Sequence, residues 1–112
     1  MTDSVKNMNW RNARGHLCEV ICAETLIRQG YWVYSTTMMG PVDLVAIKSD
    51  PPEVRLIDVK SERKRMLAGY VRRISRLRTA SQKALGVQLV YVDPEAGTCH
   101  FSEHKDGEPD KD

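Results

Sequence analysis

Between residues 12 and 29 the apolar positions return at helical spacing, with Cys22, Ala23 and Leu26 on one stripe. Gly30 then stands where a C′ glycine ends a helix. After it the pattern shortens. Residues 31–35 (YWVYS), 42–47 (VDLVAI), 54–60 (VRLIDVK) and 88–92 (QLVYV) are rich in aromatic and β-branched side chains and predict four strands. Residues 49–53 (SDPPE) separate the second from the third, and their Asp and tandem prolines belong to a turn. Those two strands should therefore pair antiparallel. Residues 61–70 (SERKRMLAGY) read as irregular or briefly helical, and a second helix is expected over 71–85, closed by Gly86. After the turn DPEAG, residues 98–103 suit a short edge strand. The order α-β-β-β-α-β describes an α/β domain, a small mixed sheet flanked by helices.

Alternation along the third strand puts Val54, Leu56, Asp58 and Lys60 on one face, expected to be packed, and Arg55, Ile57 and Val59 on the other. Asp43 shares a face with Val45 and Ile47, so the hairpin can bring it beside Asp58 at the end opposite the turn. Two carboxylates held together partly out of water repel unless a cation or a proton lies between them. Lys60, two residues along, supplies one positive charge. Glu19 falls within the apolar stripe of the first helix, a costly place for an acid that is neither paired nor bound to metal. Glu24, by contrast, is spaced i,i+4 from Arg28 and reads as a surface ion pair. Singly, each acid has an ordinary structural role: a loop cap, a strand-end ion pair, a side chain snorkelling to water. Together, three acids and a lysine at one sheet edge make an oxygen-rich ligand set suited to Mg²⁺ or Mn²⁺.

The chain has 112 residues, 41% apolar and 29% charged, in the range of a single soluble domain. The domain is expected over 1–102, with 1–11 loosely held and 103–112 an acidic, disordered tail. No apolar run approaches the ~20 residues of a membrane span, and no secretory h-region is present. With an odd count of three cysteines, this predicts reduced thiols and a cytoplasmic protein. The net charge of +2 conceals segregation. The tail takes five acids and two lysines, which leaves 15 basic against 10 acidic residues in the rest. Residues 60–83 hold nine Lys or Arg against Glu62 alone, the pattern of a phosphate-backbone binder and also of a solvated helix face. His16, Cys18, Cys22, Cys99 and His100 match no compact zinc pattern and read better as buried free thiols and ordinary histidines. Trp10, Trp32, Tyr31, Tyr34, Tyr70 and Tyr91 read as core or dimer surface. No P-loop is present.

The runs G-H-L-C-E, R-Q-G-Y, G-P-V-D-L-V-A and L-I-D-V-K, in that order, resemble the PD-(D/E)XK nuclease superfamily, and small archaeal-type Holliday-junction resolvases most of all. Glu19 lies four residues after Gly15 and eleven before Gly30, as the helix glutamate does there. The segment RLRTASQKALGVQLVYV, with Gln82, is similar to VRR-type nucleases of the same superfamily. The likeness covers residues 15–92. Val42 replaces the proline of the signature, and Asp58 is the shorter acid at its (D/E) position; neither change removes a ligand.

The resemblance implies a restriction-endonuclease-like core and a metal-dependent endonuclease leaving 5′-phosphates. Its catalytic residues would be Glu19, Asp43, Asp58 and Lys60, and its Mg²⁺ or Mn²⁺ ligands Asp43, Asp58, the Val59 carbonyl and Glu19. DNA would be gripped by Arg63, Lys64, Arg65, Arg72, Arg73, Arg76 and Arg78, with Gln82 at the site or exposed. A hydroxyl from Ser35, Thr36 or Thr37 would lie near the phosphate. The implied partners are branched or junction DNA and a second copy of the chain, in a homodimer. A nicking, homing or restriction-like enzyme, an enzyme acting on RNA, and a non-catalytic nucleic-acid-binding module remain alternatives.

Overall fold

Helix α1 (Asp3–Arg28) buries the stripe its sequence marks out, with Cys18, Cys22 and Leu26 fully enclosed. The computed structural model describes residues 3–73 and 76–104, apart from the side chains of residues 3–11, 65, 67, 72 and 73. The expected acidic tail lies largely outside the described residues, and so does the side chain of Trp10. The helix begins well before residue 12 but ends as expected. Gly30 takes φ 96°, a backbone that glycine enters without steric cost, and the Tyr31 N–H donates to the Leu26 carbonyl at 3.1 Å.

Strands β1 (Trp32–Ser35), β2 (Leu44–Ser49) and β3 (Pro52–Ser61) follow as an antiparallel meander. Then the structure departs from the sequence reading. Residues expected to be irregular, and the start of the expected second helix, form a separate hairpin, β4 (Lys64–Leu67) and β5 (Tyr70–Arg73). Its two-residue turn is Ala68–Gly69, with Gly69 at φ 81°. Helix α2 is only Ala80–Leu85. The reason is local: Thr79 and Gln82 form a capping box, which starts a helix in the middle of the stretch read as one.

Strand β6 (Gln88–Asp93) pairs parallel with β3, and β7 (Thr98–Phe101) is the expected antiparallel edge strand. The result is an α/β domain with a mixed five-stranded sheet ordered β1-β2-β3-β6-β7. Burial of Leu89, Val90, Tyr91 and Val92 on both faces of β6 accounts for its unbroken apolar run.

Helix α1 covers the sheet face opposite the one that carries Asp58. The register pairs Leu44 with Ile57, and these pack with Ala46, Val90 and Val92 against Cys18, Cys22 and Leu26. Val54, on the face expected to be packed, is 64% exposed. Arg55 is accommodated on the helix side because its guanidinium stacks over Tyr31 and Phe101, at 5.4 and 5.0 Å, and donates to Gln88 at 2.6 Å. The second face is covered where residues 76–86 cross it: the Arg76 N–H donates to the Tyr91 hydroxyl at 2.8 Å, and Arg78 Nη1 to the Val87 carbonyl at 3.1 Å. Cys18, Cys22 and Cys99 are free thiols. Among the described residues no helix is long and apolar enough to cross a membrane.

Candidate active site

The regular β2–β3 ladder ends at Leu44 and Ile57, and the Asp43 N–H also donates to the Ile57 carbonyl at 2.8 Å, which holds Asp43 against β3 next to Asp58 at the end of the sheet away from the turn. Backbone geometry thus places two acids side by side. Asp43 Oδ2 accepts the Val59 N–H at 2.8 Å. Asp58 is only 8% exposed, and its Oδ2 accepts from Gln82 Nε2 at 2.7 Å and lies 3.2 Å from Lys60 Nζ.

The Asp43 and Asp58 carboxyls are neighbours, and two carboxylates held together partly out of water repel unless a proton or a cation lies between them. Burial is the largest influence on Asp43 and pushes its pKa up to about 6. The contact with Asp58 and the charges of Asp58 and Glu19 push the same way, and the Val59 N–H opposes them.

Glu19 acts on Asp43 as a neighbouring charge. It stands on α1 in a cleft of about 340 Å³ shared with His16, Ser35, Thr36 and Leu44. Among the described residues, no group of three or more His, Cys, Asp or Glu side chains could hold a metal ion by itself. The structure therefore gathers Asp43, Asp58 and Lys60 tightly and leaves Glu19 one layer out. Such a pair of carboxylates is still a fitting partial shell for Mg²⁺, which is commonly held by one or two carboxylates and completed by water and phosphate.

The chain matches no family model, no curated protein and no solved structure.

Gln82 is the residue that sequence reasoning undervalued. It is 6% exposed, and its Nε2 donates to Asp58 and, at 3.0 Å, to the Pro41 carbonyl. Its Oε1 accepts the Thr79 N–H at 3.0 Å, closing the capping box. One side chain therefore starts α2, holds the loop before Asp43 and orients Asp58. The spacing Thr79-x-x-Gln82 was the legible signal. Gln82→Ala is expected to cost about 1–3 kcal/mol of stability, from a lost cap and unmet buried acceptors; urea denaturation measures it. Arg14 was also missed: its Nε donates to Ser61 Oγ at 3.1 Å, tying α1 to the residue after Lys60.

The expected DNA-gripping residues divide into two groups. Arg63 and Lys64 are exposed, with Lys64 Nζ 3.9 Å from the Asp93 carboxylate. The side chains of Arg65, Arg72 and Arg73 lie outside the described residues. Arg76 and Arg78 are half-buried on the α2 side, where Arg78 binds a backbone carbonyl. Ser35 is exposed in the Glu19 cleft, whereas the Thr36 hydroxyl donates to the Val42 carbonyl at 2.8 Å.

Proposed function

We propose that this chain is a Mg²⁺-dependent endodeoxyribonuclease of the PD-(D/E)XK type. The observation that carries the reading is the contact of Asp43 with Asp58 at one sheet end, with Lys60 3.2 Å from Asp58. Asp43, Asp58 and the Val59 carbonyl, with Glu19 extending the shell, would hold a divalent ion, which would supply positive charge against a scissile phosphate. Lys60 places a second positive charge beside the same position, suited to orienting the attacking water and to offsetting charge on the phosphoryl oxygens in the transition state. The Val59 N–H and the Gln82 amide hold the two carboxyls in place, so little reorganisation is needed when substrate arrives. Mn²⁺ satisfies the same oxygen ligands.

Branched or junction DNA is the proposed substrate, cut by a two-fold homodimer because each chain carries one such site and a junction needs two cuts. A nicking, homing or restriction-like activity is the narrower alternative on the same chemistry.

Incubating the protein with a four-way junction, linear duplex, single-stranded DNA and RNA, with and without Mg²⁺, tests the reading. Cleavage of the junction only when Mg²⁺ is present is the expected result. Cleavage of RNA alone moves the substrate class. If nothing is cut, and the wild type and Asp58→Asn bind equally well, the chain is a binding module and the proposal fails.

A further inference from the structure

The β4–β5 ribbon stands apart from the five-stranded sheet. Its register sets Lys64 opposite Arg73 and Arg65 opposite Arg72, two successive rungs of like charge. Facing like charges destabilise an antiparallel pair, and a two-stranded ribbon is marginal on its own. Nearer the turn, Met66 is 76% exposed and its rung partner Val71 53%, with Tyr70 57% exposed beside Gly69. Basic rungs leading to an exposed apolar tip are unfavourable in water alone. They become favourable against a partner that offers dense negative charge and flat apolar surfaces together, which is the chemistry of nucleic acid: phosphates outside and base faces within.

Position adds to the argument. Strand β4 begins four residues after Lys60, and the Glu62 N–H is fixed to the Val92 carbonyl at 2.8 Å. The base of the ribbon is thus anchored a few residues beyond Lys60 along the chain, and its four rungs span about 13 Å at strand rise, a little over a third of a duplex turn. A two-stranded ribbon also has the cross-section a major groove admits.

We propose that β4–β5 is an arm that holds double-stranded DNA at a branch point, its basic rungs on the phosphates and Met66 and Tyr70 against an opened base step. The inference rests on the nuclease reading for what happens to the DNA, but the arm itself is tested by binding without cleavage. The full-length protein in EDTA is titrated against a four-way junction, a linear duplex and single-stranded DNA, and against phosphatidylglycerol vesicles. 2-Aminopurine at the junction's branch reports unstacking.

The wild type is expected to prefer the junction over the duplex by about tenfold or more, with a rise in 2-aminopurine emission. The triple variant Arg63→Ala, Lys64→Ala, Arg73→Ala weakens binding to both, and lowers the salt slope by about 0.9 for each phosphate contact removed. Met66→Ala with Tyr70→Ala keeps duplex affinity but loses the junction preference and the emission change. Circular dichroism checks that each variant keeps its fold. Unchanged affinity in the triple variant, an undiminished junction preference in the tip variant, or binding to vesicles but to no nucleic acid overturns the arm. If Mg²⁺-dependent cleavage is present and the triple variant binds normally, the arm fails and the nuclease reading stands. If the arm behaves as described and nothing is cut, the nuclease reading fails alone.

Discussion

Asp58→Asn is expected to reduce Mg²⁺-dependent DNA cleavage by about 10²–10³-fold while leaving the protein at least as stable near pH 8. The two effects have opposite signs because the residue serves the site at the expense of the fold. As a carboxylate, Asp58 is buried against a second carboxylate, Asp43, and is compensated by Lys60 and Gln82. The amide removes the repulsion and takes away a charged ligand in the same step. Single-turnover cleavage rates of a labelled junction, read beside urea denaturation of the same preparation, separate the outcomes. A variant that loses stability as steeply as activity would mean that Asp58 is a structural residue and the site a structural ion pair. Lys60→Ala is the companion: cleavage should fall by a comparable factor, without the gain in stability.

The second large effect is in the dependence of stability on pH and Mg²⁺. The Asp43 pKa in the fold, about 6, lies above the ordinary carboxylate value of 3.8. The folded state therefore binds a proton more tightly than the unfolded state does. Its favourable contribution is complete below about pH 4 and is lost as the pH rises through about 6. For a fully enclosed group the shift would correspond to about 3 kcal/mol; Asp43 is half-buried and solvent screens it, so about 1–2 kcal/mol is expected. Mg²⁺ competes for the position the proton holds. Millimolar Mg²⁺ should accordingly raise Tm near pH 8 by about 5–10 °C and do little near pH 5. Thermal melts in Mg²⁺ and in EDTA at both pH values measure this. Asp43→Asn should flatten the pH slope and abolish the Mg²⁺ shift. An equal Mg²⁺ shift in that variant would place the ion elsewhere.

How much of this was readable beforehand depends on whether the controlling interaction is local. Helix α1, its stop at Gly30, the β2–β3 hairpin and the edge strand β7 were all expected, because each is set by side-chain periodicity and turn chemistry within a dozen residues. Glu24 with Arg28 was readable for the same reason, and the pair stands at 2.6 Å. The β4–β5 hairpin was not. Its strands are too basic to alternate apolar with polar, so the signal of Ala68–Gly69 was hidden in what resembled a solvated helix. Which sheet face α1 covers was not readable either, since alternation shows that two faces differ and not which one the helix meets.

By itself the sequence determined which acids and which lysine could serve a site, because only a few charged residues fall among apolar neighbours at strand and helix spacing. Tertiary structure alone decided their distances. The place of Asp43 beside Asp58, the Gln82 amide arriving from α2, and the more distant place of Glu19 depend on contacts between segments far apart in the chain. Those contacts are set by how α1 and residues 76–86 pack on opposite faces of the sheet, and no local pattern encodes that.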